Sequence, residues 1–208
     1  MADKISIQGL SYKTEELSKL RNDITEKGEN LLSKLTNNIM VLSDVWDGID
    51  ADVHINNLIR LRNELGSIIS QSYLAINNAN NKMVSAQEMQ NFNSGGRGNV
   101  GSRLTGEFGF SLLDQITKSK VSVMATISVM NGALRDLENV ISLFEDLEYF
   151  FRTKKEALFS EWTHGYDVEN IREQFDNFLN NCDRFKGYLT DAKDAFSKVI
   201  NNLSQNAS

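Results

Sequence analysis

Apolar residues recur along this chain in alternating steps of three and four. The pattern is cleanest near the C-terminus, where Val168, Ile171, Phe175, Phe178, Cys182, Phe185, Leu189, Ala192, Phe196, Val199 and Leu203 form an unbroken seam. That spacing places every seam position on one face of an α-helix. Three further seams precede it. The first runs Leu17, Leu20, Ile24, Leu31, Leu35, Ile39, Leu42 and Trp46. The second runs from Ile55 through Leu58, Leu65, Ile69, Ile76 and Met83 to Ala86, interrupted by the polar residues Arg62 and Ser72. The third uses Ile116, Val123, Ile127, Met130, Leu134, Leu137, Ile141, Phe144, Phe151, Leu158 and Trp162. Four long helices with seams of this width pack nearly antiparallel at shallow angles, so the predicted fold is all-α. Residues 121–130 alternate partly like a strand, but a lone strand has nothing to pair with and the helical seam continues through them, which predicts helix. On this reading the third helix runs about 15–20 residues longer before its Trp than the first does, an overhang or an extra contact surface.

Glycine divides the seams. Six of the 13 glycines lie between Gly95 and Gly109, and the run Asn93-Ser-Gly-Gly-Arg-Gly-Asn-Val-Gly-Ser102 reads as a flexible linker. The expected domains are a helical hairpin over 1–91, a Gly-rich linker over 92–110 and a second hairpin over 111–208. Each hairpin turns near a tryptophan, at Trp46-Asp-Gly48 and at Trp162-Thr-His-Gly165. Glycine ends a helix at little steric cost, and Asp caps the next one. Acidic residues follow in the next first turn, Asp50 and Asp52 in one hairpin and Asp167 and Glu169 in the other, where the helix dipole favours them.

Composition agrees with a helical chain. There is no proline in 208 residues, and proline is costly inside helices. Asparagine occurs 23 times, often in pairs such as Asn37-Asn38, Asn77-Asn78 and Asn180-Asn181, and reads as compositional bias on solvated faces. The net charge of −6, with no basic run, argues against a nucleic acid or an anionic membrane as partner. No apolar stretch is long enough to span a membrane, and the N-terminus lacks the apolar core of a secretory signal peptide. A single cysteine, Cys182, makes no internal disulfide, and its seam position predicts a buried, inert thiol.

The residues offer little catalytic chemistry. Gly96-Arg-Gly98-Asn-Val-Gly101 spells a dinucleotide fingerprint but lacks the preceding strand and the following helix that such a site needs. Asp50, Asp52 and His54 are too few for a closed metal site and read as an ordinary helix start. His164, the other histidine, reads as a polar turn residue. No nucleophile, paired carboxylates or nucleotide loop stands out, so no enzyme activity, cofactor, metal or small-molecule substrate is expected. The phenylalanines of the last seam read as core.

Two helical hairpins, each bending at a Trp followed closely by Gly, resemble the WXG family of type VII (ESX) secretion proteins. Trp46-Asp47-Gly48 matches the motif literally; in the second hairpin Gly165 falls one place late. The resemblance covers about residues 14–90 and 111–204 and implies two family units in one polypeptide. Their four-helix, coiled-coil-like bundle would be an intramolecular pseudo-dimer, and the chain a monomer in solution. A short flexible linker would hold the second hairpin at roughly millimolar effective concentration. Its limited reach would favour a geometry with the end of the second helix near the start of the third.

In the family, the Trp turn of one subunit lies near the C-terminal tail of its partner. That tail carries a Tyr-x-x-x-acid export signal read by a membrane ATPase. Here Tyr188 is followed four places later by Ala192, and Val84-x-x-x-Glu88 is only a loose analogue. The candidate recognition residues are Trp46, Gly48, Trp162 and Gly165, and each Trp also has a purely structural reading as the plug at a bundle end. Two functions are therefore expected. One is a non-enzymatic protein exported without a signal peptide. The other is a cytosolic adaptor that docks the helical N-terminal domain of an effector and completes its export signal, with the long third helix as docking surface.

Overall fold

The computed structural model describes residues 7–96, 98–118, 124–163 and 167–206. The fold is an all-α four-helix bundle built from α1 (Ile7–Val45), α2 (Ile49–Asn93), α3 (Ile127–Glu161) and α4 (Val168–Asn206). The helices are 39, 45, 35 and 39 residues long, with no cis peptide bond among the described residues. They divide into two compact units, and each helix contributes one stretch to each.

The first unit contains residues up to 27, 68–109 and 148–181. Leu17, Leu20 and Ile24 of α1, Ile76 of α2, Phe151 and Phe159 of α3 and Phe175 and Phe178 of α4 are buried in it. Phe151 packs against Phe175 and Phe178 at ring-centroid distances of 5.0 and 4.3 Å. The second unit contains residues 28–67, 110–147 and those from 182 onward. Its core holds Leu35 and Leu42 of α1, Leu58 and Leu65 of α2, and Phe144 against Phe185 at 5.0 Å. Burying one such side chain contributes about 1.5–3 kcal/mol relative to leaving it exposed, so the aromatic seams supply much of the cohesion of each unit.

The seam of α4 appears nearly as the periodicity predicts, with Cys182 buried within it. At its end Ile200 takes the core position in place of Val199, and Leu203 is only half-buried. The helix drifts against a strict three-four alternation, and the core follows that drift.

The third helix differs from expectation. It begins at Ile127, and residues 111–118 carry no regular secondary structure, so the overhang does not exist and α3 is shorter than α1. Ile116, read as a helical seam residue, lies on an extended segment; Val123 falls outside the described residues. The strand-like alternation is also partly real: β2 (Met124–Ala125) pairs antiparallel with β1 (Trp46–Asp47), with Trp46 opposite Ala125. The pairing partner that the sequence reading lacked is the backbone of the Trp46 turn itself. Thr126 N–H donates to Val45 O, so α3 starts beside the turn between α1 and α2, not at the far end of α2. The connection is long enough for this because it is extended rather than coiled.

The glycine-rich stretch is likewise not a free tether. From Gly98 to Lys118 it forms a strap held against α2 by side-chain amides and, at its end, by the Asp52 carboxylate. Several asparagines expected to face solvent are its clamps, because an amide offers a donor and an acceptor spaced like those of a peptide group. The second helix is therefore covered on more than one side. That is why its seam looks interrupted: Arg62 and Ser72 are buried along with the apolar positions.

Candidate functional site: two tryptophan turns and an amide-lined groove

The Trp46 turn belongs to the second unit. Gly48 has φ 121°, a conformation that L side chains rarely adopt, and its carbonyl accepts the Asp52 N–H at 3.0 Å to open α2. The Trp46 indole is only 1% exposed. It stacks on Phe196 of α4 at 5.5 Å and lies 5.7 Å from the ring of His54, which itself stacks on Phe196 at 4.4 Å. His54 is buried, and its Nε2 has no hydrogen-bond partner. Burial holds its pKa down to about 4, so it is neutral at physiological pH.

The acidic residues of this helix start are tied to the strap. Asp52 Oδ1 accepts the Lys118 N–H at 2.9 Å, and the Lys118 ammonium lies 3.3 Å from Asp47 and also donates to Ser43 O. Among the described residues no group of three His, Cys, Asp or Glu side chains is placed to hold a metal ion. Next to Gly48, Ile49 and Val53 project outward, 62% and 66% exposed.

The Trp162 turn belongs to the first unit. Trp162 is buried and stacks parallel on Phe159 at 5.9 Å, with the Arg172 guanidinium on the same Phe159 ring. Gly165 and His164 lie outside the described residues. The residue that visibly carries a left-handed conformation here is Asp167, at φ 66°, whose carbonyl accepts the Ile171 N–H and whose carboxylate pairs with Lys82 of α2. A second ion pair, Lys13 to Glu161 at 3.1 Å, joins α1 to the end of α3.

Sequence reasoning missed the groove that receives the strap. In the first unit Asn91 takes the Gly98 N–H at 2.7 Å and donates to Gly98 O at 2.9 Å. Asn81 does the same for Leu104, at 2.8 and 2.9 Å. Gln87 accepts from Gly101 N, Asn80 donates to Ser102 O, and Asn77 donates to Gly106 O. Arg103 of the strap pairs with Glu88 at 2.7 Å. Leu104 and Phe108 turn inward and are buried. In the second unit Asn63 grips both backbone groups of Leu113, and Asn56 both of Ile116. Arg62, buried and donating to Ser111 O and Thr36 Oγ1, has its pKa lowered by desolvation. Gly66 leaves room for Phe110: a Cβ there would fall 2.2 Å from the ring.

A signal for this ladder was present. Asn56, Asn63, Asn77 and Asn91 are separated by multiples of seven residues, which keeps them close to one helix face. Two glycines of the dinucleotide-like spelling, Gly98 and Gly101, are backbone partners of Asn91 and Gln87.

Each of the two candidate export stretches is partly covered, although Tyr188 and Glu88 themselves remain substantially exposed. Val84 is buried and Glu88 is paired with Arg103. Tyr188 lies beneath the Arg60 guanidinium, 5.8 Å from it, and Ala192 is buried. No helix of the described residues is long and apolar enough to cross a membrane. Compared with known families, with characterised proteins and with solved structures, the chain matches none.

Proposed function

We propose that this protein is a non-enzymatic, tandem WXG-like member of a type VII secretion system, an internal pseudo-dimer exported without a signal peptide. The observation that carries the reading is the Trp46 turn. Trp46-Asp47-Gly48 bends the first hairpin, and its indole stacks on Phe196, in the last helix of the second hairpin. A turn of one half set against the C-terminal helix of the other is the arrangement that the family resemblance implies. At the Trp162 turn, Asp167 pairs with Lys82 on the last helix of the first hairpin, which supports the same pseudo-dimeric logic.

A second reading keeps the fold and changes the role. It is a cytosolic adaptor that binds the helical N-terminal domain of an effector and supplies part of a composite export signal. The missing Tyr-x-x-x-acid signal favours it, and the pairing of Glu88 with Arg103 and the burial of Val84 and Ala192 add to that.

The test is the distribution of the protein between medium and cells, in a host whose type VII ATPase is intact or deleted. Appearance in the medium only with the ATPase present supports the exported protein. Retention in cells in both cases, with an effector co-purifying, supports the adaptor. ATPase-independent release, or retention with no secretion component bound, refutes both.

A further inference from the structure

On another side of α2, within the first unit, an open cleft of about 540 Å³ lies between α2 and α4. Small-molecule sites commonly measure about 300–1,000 Å³. The frame of the cleft follows from spacing along the chain. Gln71 and Asn78 lie seven residues apart on α2, and Gln174 and Asn181 lie seven apart on α4. Each pair therefore shares a helix face, its members about 10.5 Å apart. The helices meet antiparallel: Asn181 donates to Gln71 Oε1 at 2.7 Å, and Asn78 to Gln174 Oε1 at 2.9 Å. Two amide bridges thus frame the cleft. Between them the small side chain of Ala75 leaves space, the buried Phe178 lies beneath, and Leu74 forms a wall that is 43% exposed.

The chemistry of the lining is selective. None of the described lining residues is ionisable, in a chain of which 24% is charged. A charged ligand would shed water there without meeting a counter-charge, so the cleft favours an uncharged one. Its polar groups are all amides, and an amide carries a donor end and an acceptor end. Two neighbouring hydroxyls on a ring match both ends at once, one accepting from the amino group and the other donating to the carbonyl. Asn177 and Asn180 make no hydrogen bond among the described residues, and Gln71 and Asn78 each commit one end to a bridge. All four are exposed, so a ligand exchanges with water at them. Gln174 is held in place by both Asn78 and Asn170. Leu74 offers apolar surface for the C–H face of a ring.

From this we infer that the first unit binds an uncharged saccharide of about disaccharide size in the α2–α4 cleft. Gln71, Asn78 and Asn177 take its hydroxyls, and Leu74 lies against a ring face. A helix of a second copy is a poorer occupant, because an opening about 10.5 Å long spans only two helical turns and is mostly polar. This inference is independent of whether the protein is exported.

The experiment titrates the isotope-labelled full chain with cellobiose, maltose and N,N′-diacetylchitobiose and follows the side-chain amide resonances by NMR. The expected result is a saturable shift of the Gln71, Asn78 and Asn177 amides with at least one of the three, while the Asn56 and Asn63 amides of the second unit stay in place. Asn78→Ala with Asn177→Ala should weaken that binding about tenfold, since two hydrogen-bonding groups are lost. Both positions are exposed, and circular dichroism checks that the helices persist; if the double variant loses them, Asn177→Ala alone is used. Absence of a saturable shift with all three sugars up to about 50 mM overturns the inference. So does equal affinity in the variant, or the same shifts with glycerol at equal hydroxyl concentration. Tighter binding of the cationic, deacetylated chitobiose would refute the selection of a neutral ligand. Cleft resonances that move with protein concentration in the absence of sugar would assign the cleft to a second copy of this chain and overturn the inference as well.

Discussion

Replacing Asn81 by Ala removes two hydrogen bonds, of 2.8 and 2.9 Å, from Leu104, a strap residue only 8% exposed. Each such bond contributes about 0.5–1.5 kcal/mol net, and a buried backbone group left unpaired costs about 1–3 kcal/mol. Against this stands a gain of about 0.7 kcal/mol or less, because Ala is the better helix former. The expected net loss is about 2 kcal/mol, or roughly 4–8 °C in midpoint for a chain of this size. Asn78→Ala is the matched control. Asn78 is one turn away on the same helix and donates one hydrogen bond of 2.9 Å, to Gln174, at an exposed site. There the lost bond and the helix gain nearly cancel, so its midpoint should move by no more than about 1–2 °C. Thermal and urea midpoints give the totals, and hydrogen exchange localises the effect. The Leu104 amide proton is bonded only to a side chain in the native fold and should lose its protection in Asn81→Ala but not in Asn78→Ala. Equal midpoint shifts for the two variants, with Leu104 protection unchanged, would refute the clamp.

Two further variants test other parts of the same logic. Gly66→Ala should destabilise, against the usual gain of about 1 kcal/mol for such a change inside a helix, because the new Cβ would overlap Phe110 at 2.2 Å. In a Phe110→Ala background the same change should stabilise; a double-mutant cycle in urea reads the reversal of sign, and additive effects would count against the contact. His54 makes stability pH-dependent. Its folded pKa of about 4 lies below the ordinary 6.5, so the unfolded chain takes the proton first. Its contribution is complete above pH 6.5, falls as pH drops towards 4, and reaches a loss of about 3 kcal/mol below that. His54→Leu should flatten this part of the stability–pH curve, and an unchanged slope in urea titrations between pH 7 and 4 would sink the assignment.

The parts of the fold that could be read from sequence are those where one physical cause sets the pattern. The α4 seam faces a core on one side and water on the other, and its periodicity says so. The second helix faces both the core and the strap, and Arg62 and Ser72, taken as interruptions, are polar residues buried in that enclosure. Leu104, Phe108 and Phe110 misled in the opposite way: they punctuate a glycine-rich stretch, and glycine content alone suggests freedom. What fixes the strap is hydrogen bonding from residues 7 to 84 positions away, which local composition cannot express. Ile116 entered the third seam by spacing alone, since an extended residue pointing at a helix and a helical residue pointing at a core are both simply apolar. Trp46 and Gly48 were legible because turn geometry is local; the β2 partner of Trp46, across 79 residues of sequence, was not.

Burial of the tryptophans bears on how such turns can be read by a partner. Structural plug and recognition element are usually opposed; at Trp46 the indole is a buried plug, and any recognition would act through what it positions. The indole is enclosed by His54 and Phe196, and its backbone is pinned by the pairing with Ala125. A protein approaching this turn therefore meets Ile49 and Val53, which stand out from the first two turns of α2 one helical step apart. Their position is set by Gly48 at φ 121° and by the packed indole behind it. Loss of the indole would disturb the apolar pair without the partner ever having touched it. The Trp162 turn is held differently, by the Lys82–Asp167 and Lys13–Glu161 ion pairs around a stacked Phe159. Charge pairs with exposed members are weakened by salt, whereas the aromatic and backbone contacts at Trp46 are not. The Trp46 turn has one ion pair of its own, Lys118–Asp47, with both members largely buried, so raised ionic strength should loosen the Trp162 turn more than the Trp46 turn.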